Sequence, residues 1–289
     1  MYSYFKLPKI GFVGAGKLAE VLTKGFIAAG VLQINQVWAS APTEKDTYWI
    51  RHLGCNVTHC NKDLLKRNQI VVLAVKPQIM PKVLREIAPE VTKDHLLLSF
   101  AAGMKLRTMQ YLLPPKTRIA RLMTNTPVQF REGVSSYTPG AYCSQEDIEL
   151  INKLMTSVGY CVEVKEELVD LITGFAGGGP AYIYTVIEAM ANGAVQGGMN
   201  RDDALKMAAK TVLGAARTVQ ETKEHPGDLR DAVCSGGGST IFGIHALEKG
   251  GLRPAIMDAV MAATKRSKDL GETINETSLT DRNGHNVRK

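Results

Sequence analysis

Gly14 and Gly16, separated by one residue and followed three positions on by the small Ala19, make a stretch suited to holding a pyrophosphate. Gly14-Ala15-Gly16-Lys17-Leu18-Ala19 fits the pattern G-x-G-x-x-G/A, and each position has a physical reason. Gly14 makes the tight turn out of a strand. Gly16 has no side chain, so the backbone can touch the phosphates. Ala19 lets the next helix lie close on the strand. The free amides at the start of that helix then face the negative charge. The setting gives the short pattern its weight. Ile10, Phe12 and Val13 read as a buried strand before it, and Leu18, Val21, Leu22 and Phe26 as the apolar face of a helix after it. Dinucleotide binding is the chemistry, with Val13, Gly14, Ala15, Gly16, Lys17 and Leu18 as expected contacts.

Such a cofactor needs further contacts at the carboxyl ends of neighbouring strands. Gln36 to Ser40 reads as the second strand. Chains specific for NAD end it in Asp or Glu, which holds the ribose 2′-hydroxyl. Here Ser40-Ala41-Pro42-Thr43 stands instead, with Lys45 nearby. An acid would repel a 2′-phosphate and small hydroxyl residues do not. The expected cofactor is therefore NADPH, with NADH left open, and Ser40, Ala41 and Thr43 are expected contacts. Ile70 to Val75 is a continuous apolar run, as in a central parallel strand buried on both faces. It stops at Lys76-Pro77, so Ala74, Val75, Lys76 and Pro77 should face the cofactor. Leu96 to Phe100 is a further strand, and Ala101 and Ala102 stand at its carboxyl end.

One other cluster has reactive residue types: His52, Cys55, His59 and Cys60 lie close in sequence. Val57 and Thr58 in its middle read as a strand, whose alternation sends neighbours to opposite faces. No second CxxC or HxxxH completes a tetrahedral site, and no metal is expected. Five cysteines without framework spacing are expected to be free thiols.

The chain has 289 residues, 45% of them hydrophobic and 22% charged, enough for one large or two modest cores. The net charge of +7 is spread with no basic run longer than two, so it points to anionic cofactor and substrate rather than nucleic acid. The longest apolar stretch, Leu96 to Met104, is too short to span a bilayer, and no membrane partner is expected. The lead before the first strand is too short for a signal peptide. A cytoplasmic location follows, with the mitochondrial matrix left open.

Along the chain, Thr47 to Leu53 and Asn61 to Lys66 read as helices, the latter with Asn61 as its cap. Pro81 to Ala88 and Glu146 to Val158 read as helices too. Arg118 to Met123, Val134 to Tyr137 and Cys161 to Val164 complete the sheet. Strand signals stop near Glu166. Thr173 to Pro180 is a glycine run closed by a proline, which suits a first helical turn. Pro180 to Gly198 carries one charge, Glu188, and reads as a helix buried on every side. Asp202 to Val219 is amphipathic, Pro226 to Val233 is short, and Ser235 to Thr240 is a second glycine turn. Helices over Ile241 to Lys249 and Pro254 to Leu270 follow. The polar stretch from Glu272 is expected to fray. The fold class is α/β: an N-terminal Rossmann-type doubly wound sheet (1–165), an all-α dimerisation and substrate domain (166–273) and a flexible polar tail (274–289).

These stretches coincide with one family. GFVGAGKLA (11–19), ASAPT (39–43), AVKP (74–77), AAG (101–103), MTNTP (123–127), REG (131–133), GGGPAY (177–182), HPGDLRDAV (225–233), GGGSTI (236–241) and HALEKGGLR (245–253) run in family order over nearly the whole chain. The chain resembles pyrroline-5-carboxylate reductase, and the animal forms most in wording. The resemblance implies NAD(P)H-dependent reduction of the imine of 1-pyrroline-5-carboxylate to L-proline. It places Glu166 near the substrate and Asn61 among the cofactor contacts. The amides of Gly238, Ser239 and Thr240 begin a helix and suit the substrate carboxylate, and the Thr240 hydroxyl is assigned to the ring nitrogen as the catalytic group. A bare N-cap role for Ser239 and Thr240 is the alternative.

Two positions depart from the family wording: Ala176-Gly177-Gly178-Gly179 replaces SGSG, and Gly236 replaces a proline. Both put efficiency, not chemistry, in question. A related imine reductase or β-hydroxyacid dehydrogenase shares the architecture. The latter needs a helical-domain lysine, and Lys206 and Lys210 read as solvated. A dinucleotide-binding regulator with little turnover is a third reading. One charge in Pro180 to Gly198 leaves too few helices, in a domain of about 120 residues, to surround it. A homodimer is expected, its site completed by the partner. The resemblance extends this to a homodecamer of five dimers.

Overall fold

The computed structural model describes residues 8–279, and all structural statements concern those residues. Eight strands form one sheet: β1 (Ile10–Val13), β2 (Val37–Ser40), β3 (Asn56–Thr58), β4 (Ile70–Leu73), β5 (Leu96–Ser99), β6 (Arg118–Thr124), β7 (Gly133–Pro139) and β8 (Gly159–Glu163). Their order is β3-β2-β1-β4-β5-β6-β7-β8. All pairs are parallel except β6 with β7. The chain starts in the middle of the sheet, runs outward to β3, returns past β1 to β4, and so reverses direction beside the glycine turn.

Successive residues of a central strand feed two cores. Ile10, Phe12, Ile70 and Val72 pack on one face against α1 (Lys17–Ala28), α2 (Glu44–His52) and α6 (Gln145–Thr156), through Leu22, Phe26, Ile50, Ile151 and Leu154. Val13, Val71 and Leu73 pack on the other against α3 (Asn61–Arg67), α4 (Met80–Ile87) and α5 (Leu106–Leu112), through Leu64, Leu65, Leu84 and Met109. This doubly wound arrangement is the expected fold class. The helix α5 had no counterpart in the sequence reading. α2 starts at Glu44 rather than Thr47, because Thr43 caps it by accepting from the Asp46 amide. The cap of α3 is Cys60, so Asn61 stands one residue inside the helix, not at its cap. The five cysteines are free thiols, and burial pushes those of Cys55 and Cys161 up to about 11.

After β8 the chain is helical: α7 (Glu166–Ile172), a π-helical turn (Thr173–Gly177), α8 (Gly179–Gln196), α9 (Arg201–Thr222), α10 (Pro226–Val233), α11 (Ser239–Lys249) and α12 (Leu252–Leu279). Two compact units result. One contains the sheet, α7, the π turn and the chain from Ala262 onward, and the other is Gly179–Met261. α12 therefore contributes to both.

From Glu272 to Leu279 the polar stretch is helical rather than frayed, and the buried face of this end of α12 is Ser267, Gly271, Ile274, Asn275 and Ser278. Those residues recur at helical spacing, but most are small or polar, so a hydrophobic pattern does not reveal them. Ile274 joins the second core. A Cβ on Gly103 would lie 2.7 Å from the Gly271 backbone, and one on Gly271 would lie 2.3 Å from the Gly103 carbonyl. Asn275 accepts from the Lys105 amide (3.1 Å) and donates to the Gly103 carbonyl (3.0 Å). The end of α12 thus clasps the loop after β5. Residues 280–289 of the expected flexible tail lie outside the described residues.

The second unit packs α8 on α9 around Ala191, Ala204 and Ala208. Within one chain α8 is not surrounded, in line with the reading that a domain of this size has too few helices to cover it: Tyr184 is 59% exposed, and Phe242 of α11 and Met257 of α12 are 70% and 67% exposed. No helix among the described residues is long and apolar enough to cross a membrane.

Candidate active site

The glycine turn sits where the strand order reverses. Gly14 has φ +97°, and its amide donates to the Ser40 carbonyl at 2.9 Å. A Cβ there would stand 2.9 Å from both the Ala74 carbonyl and Val75 Cγ1, so the position accepts only glycine. Trp49 of α2 donates its indole N–H to the Ala15 carbonyl at 2.6 Å and holds the loop. Gly16 is the N-cap of α1, no side chain caps its amides, and nothing lies within 4 Å of where its Cβ would be. Free amides under open space suit a pyrophosphate. Ala19 is fully buried, as close packing requires, and Lys17 is exposed and paired with Glu20 at 3.2 Å.

The residues after β2 are tied to the elements around them. Ser40 is buried, and its hydroxyl donates to Asn61 Oδ1 at 2.6 Å. Asn61 Nδ2 donates in turn to Glu86 at 3.2 Å. The Ser40 side chain therefore meets α3 and positions Asn61, itself an expected cofactor contact. Ala41 is also buried, and the exposed Thr43 spends its hydroxyl on Asp46 (2.6 Å) as the cap of α2. The acid missing from the strand end stands four residues on. Glu44, in the first turn of α2, is paired with Arg51 at 2.9 Å and His59 at 3.1 Å. Sequence spacing did not bring these three together. His59 follows β3, and only the parallel pairing of β3 with β2 lays it beside Ala41.

At the other end of the turn a cavity of about 380 Å³ opens between Leu18, the loop Phe100 to Ala102, the end of β6 (Leu122 to Thr124) and the π turn (Thr173, Gly177, Gly178). It occupies the carboxyl ends of β5 and β6, where open α/β sheets hold ligands. The π turn forms its wall, closed by the Gly178 amide on the Thr173 carbonyl at 3.0 Å. The buried Asn125 fixes that wall, donating to the Ala176 carbonyl (3.1 Å) while it accepts from the Val134 amide (2.9 Å). Thr124 and Asn125 fall in MTNTP (123–127) and Thr173 in the glycine run, both marked from sequence, but no role was assigned there to any of the three. Ala74 and Val75 pack against the turn. Lys76 is exposed, and Ala101 is buried under the cavity rim. A larger cavity, about 550 Å³, lies at the amino ends of the strands beside Lys9, Asn68 and His95, on the wrong edge for the cofactor.

Glu166 opens α7. Its carboxylate accepts from the Leu106 amide (2.7 Å) and from Arg121 (3.4 Å). Arg121 is buried and also holds Asp170 at 2.9 Å, which accepts from Ser267 of α12. Two carboxylates around one buried guanidinium keep that charge paired, and Glu166 is tied to the start of α5.

In the helical unit Gly237 has φ +70°, and Gly238 is the N-cap of α11 with no side-chain hydrogen bond. Ser239 and Thr240 are the first two residues of the helix and are exposed. They are therefore not its caps, and the amides at this second glycine-led helix start are open to an anion. Lys206 and Lys210 are exposed on α9.

A doubly wound sheet with a free pyrophosphate cradle at its switch point and a cavity beside it defines a dinucleotide-dependent oxidoreductase fold. Residues 9–103 match the family described as NADP oxidoreductase, coenzyme F420-dependent, and residues 166–270 the family described as pyrroline-5-carboxylate reductase dimerisation. The chain is 46% identical to rat pyrroline-5-carboxylate reductase 3, covering 91% of this chain and 96% of the relative. It is 43% identical to rat pyrroline-5-carboxylate reductase 2, covering 90% and 83%. The crystal structure of the Plasmodium falciparum reductase with NADP bound superposes with a TM-score of 0.85 at 29% identity, covering 92% of this chain and 99% of that one. The chain belongs to the pyrroline-5-carboxylate reductase family. It is an NAD(P)H-dependent oxidoreductase for the imine of pyrroline-5-carboxylate, and a homo-oligomer.

Proposed function

We propose that the chain reduces 1-pyrroline-5-carboxylate to L-proline with NADPH preferred over NADH, using the residues of its two glycine-led helix starts. The observation that carries the reading is that both α1 and α11 begin at a glycine with no side-chain cap. The amides after Gly16 hold the pyrophosphate. Val13 to Leu18, Ala74 to Pro77 and Ala101–Ala102 shape the rest of the cofactor groove. The amides after Gly238 hold the substrate carboxylate. When bound, the nicotinamide supplies the hydride that reduces the C=N bond. A protonated cyclic imine is already electrophilic, so the chain's work is orientation and charge placement. The Thr240 hydroxyl, next to the carboxylate site, holds the ring nitrogen and hands on its proton. Within the sheet unit Glu166 orders Leu106 and Arg121. Ser40 contributes through Asn61.

The oligomer is read as a dimer formed through the exposed apolar faces of the helical unit, and the resemblance supports five such dimers in a ring. The test is steady-state reduction of pyrroline-5-carboxylate with each cofactor, for the native chain and Thr240→Ala. We expect kcat/KM to favour NADPH, and Thr240→Ala to lower kcat by about ten- to a thousand-fold, the range for one positioned donor or proton-transfer group, with KM for NADPH little changed. A preference for NADH, or an unchanged kcat in Thr240→Ala, would overturn the corresponding part.

A further inference from the structure

We propose that His59, held between the Ala41 carbonyl and Glu44, is the residue that sets the preference for a 2′-phosphorylated cofactor, and that this preference weakens as His59 loses its proton. This deepens the reading above and rests on NADPH being the preferred cofactor.

In a doubly wound sheet the adenosine ribose lies at the carboxyl end of the second strand. Here that place is the loop Ala41 to Thr43, and the residue at the next position is acidic: Glu44. An unopposed carboxylate there would repel a 2′-phosphate as surely as one at Ser40. It is opposed. Arg51 reaches it from two turns further along α2 (2.9 Å), and His59 reaches it from the carboxyl end of β3 (3.1 Å).

The hydrogen bonds of His59 fix what its proton does. Nδ1 lies 2.8 Å from the Ala41 carbonyl, which only accepts, so Nδ1 carries a hydrogen. In the neutral ring Nε2 then presents a lone pair to the Glu44 carboxylate at 3.1 Å, two acceptors face to face. Only the imidazolium satisfies both partners. The Ala41 carbonyl and then Glu44 accordingly raise the pKa of His59 above the ordinary histidine value, against smaller opposing effects of desolvation and Arg51. The charged groups around the ring are Glu44 and Arg51 on α2. Lys45 and Asp46 flank Glu44, and Lys62 and Asp63 follow in the first turn of α3. With His59 protonated, Glu44, Arg51 and His59 sum to one positive charge beside the loop. With His59 neutral they sum to zero. The charge is present at low pH and lost as pH rises through the raised pKa, so the attraction for the 2′-phosphate fades in that direction.

The experiment compares the native enzyme with His59→Asn, which keeps a donor for Ala41 and carries no charge, and with Glu44→Gln. Two readouts are used from pH 6 to 9. One is the ratio of kcat/KM for NADPH to that for NADH. The other is calorimetric binding of 2′,5′-ADP against 5′-AMP, which needs no turnover. The 2′-phosphate itself titrates near pH 6 (roughly, for a phosphate monoester), and His59→Asn retains that ionisation as the internal control. The native ratio is expected to fall about three- to tenfold across this range, the size of one partly screened charge near a phosphate at a protein surface. In His59→Asn the fall should vanish, leaving only the rise at about pH 6 that ionisation of the 2′-phosphate itself produces. In Glu44→Gln the ratio should rise. A native enzyme without NADPH preference would refute the underlying cofactor reading. A native enzyme that prefers NADPH with the same pH profile in His59→Asn would refute the role of His59. Equal weakening of 2′,5′-ADP and 5′-AMP in that variant would make His59 an anchor of the loop only, and refute it too.

Discussion

Replacing Asn275 by alanine tests whether the end of α12 is part of the cofactor unit. The amide of Asn275 is 5% exposed and bridges two backbone groups of the loop after β5, the Gly103 carbonyl at 3.0 Å and the Lys105 amide at 3.1 Å. Water cannot replace it at Gly103, where the Gly271 backbone closes the site. A buried carbonyl left unsatisfied costs about 1–3 kcal/mol, and losing the half-buried second bond adds about 0.5–1.5 kcal/mol, so Asn275→Ala should destabilise the chain by about 2–4 kcal/mol. In a unit of this size that lowers the melting temperature by about 4–15 °C. Because the loop also carries Ala101 and Ala102, KM for NADPH should rise. The assay is denaturant and thermal unfolding at one fixed protein concentration, since a homo-oligomer's stability depends on it. Glu276→Ala, on the exposed side of the same turn, is the control and should stay within about 0.5 kcal/mol. If Asn275→Ala behaved like the control, the clasp would contribute nothing and the tail would be dispensable.

Two further outcomes follow from the geometry. Gly14→Ala should abolish NADPH binding and destabilise the sheet unit, because φ is +97° and the new Cβ would meet the Ala74 carbonyl at 2.9 Å; normal binding in an equilibrium titration would contradict the glycine-only reading. Light scattering should find a multiple of the 31.4 kDa chain and no stable active monomer, given the exposed Tyr184, Phe242 and Met257; an active monomer would refute the interface assigned to those faces.

The sequence by itself determined the sheet unit and the family. Continuous apolar runs such as Ile70 to Leu73 can only be central strands, because both their faces are covered by helices. Gly14, Gly16 and Ala19 declare the turn because they stand close together in one short pattern, although what excludes a larger residue at Gly14 is its φ together with the distant Ala74 and Val75. The glycine-led start of α11 is legible as a short pattern too. What the sequence did not disclose rests on contacts between residues far apart in the chain. Ser40 stands at the strand end by sequence, but its hydrogen bond to Asn61 on α3, 21 residues on, is visible only in the fold. Glu44, Arg51 and His59 become one cluster only through the pairing of β2 with β3. The face of α12 that clasps Gly103 is built of Ser267, Gly271 and Asn275, whose burial is satisfied by backbone approach and hydrogen bonds instead of apolar area. Hydrophobic periodicity reports only surfaces that leave water for lack of polarity. A surface buried because its polar groups find partners is decided by tertiary structure alone, and here such surfaces hold the loops that frame the cofactor groove.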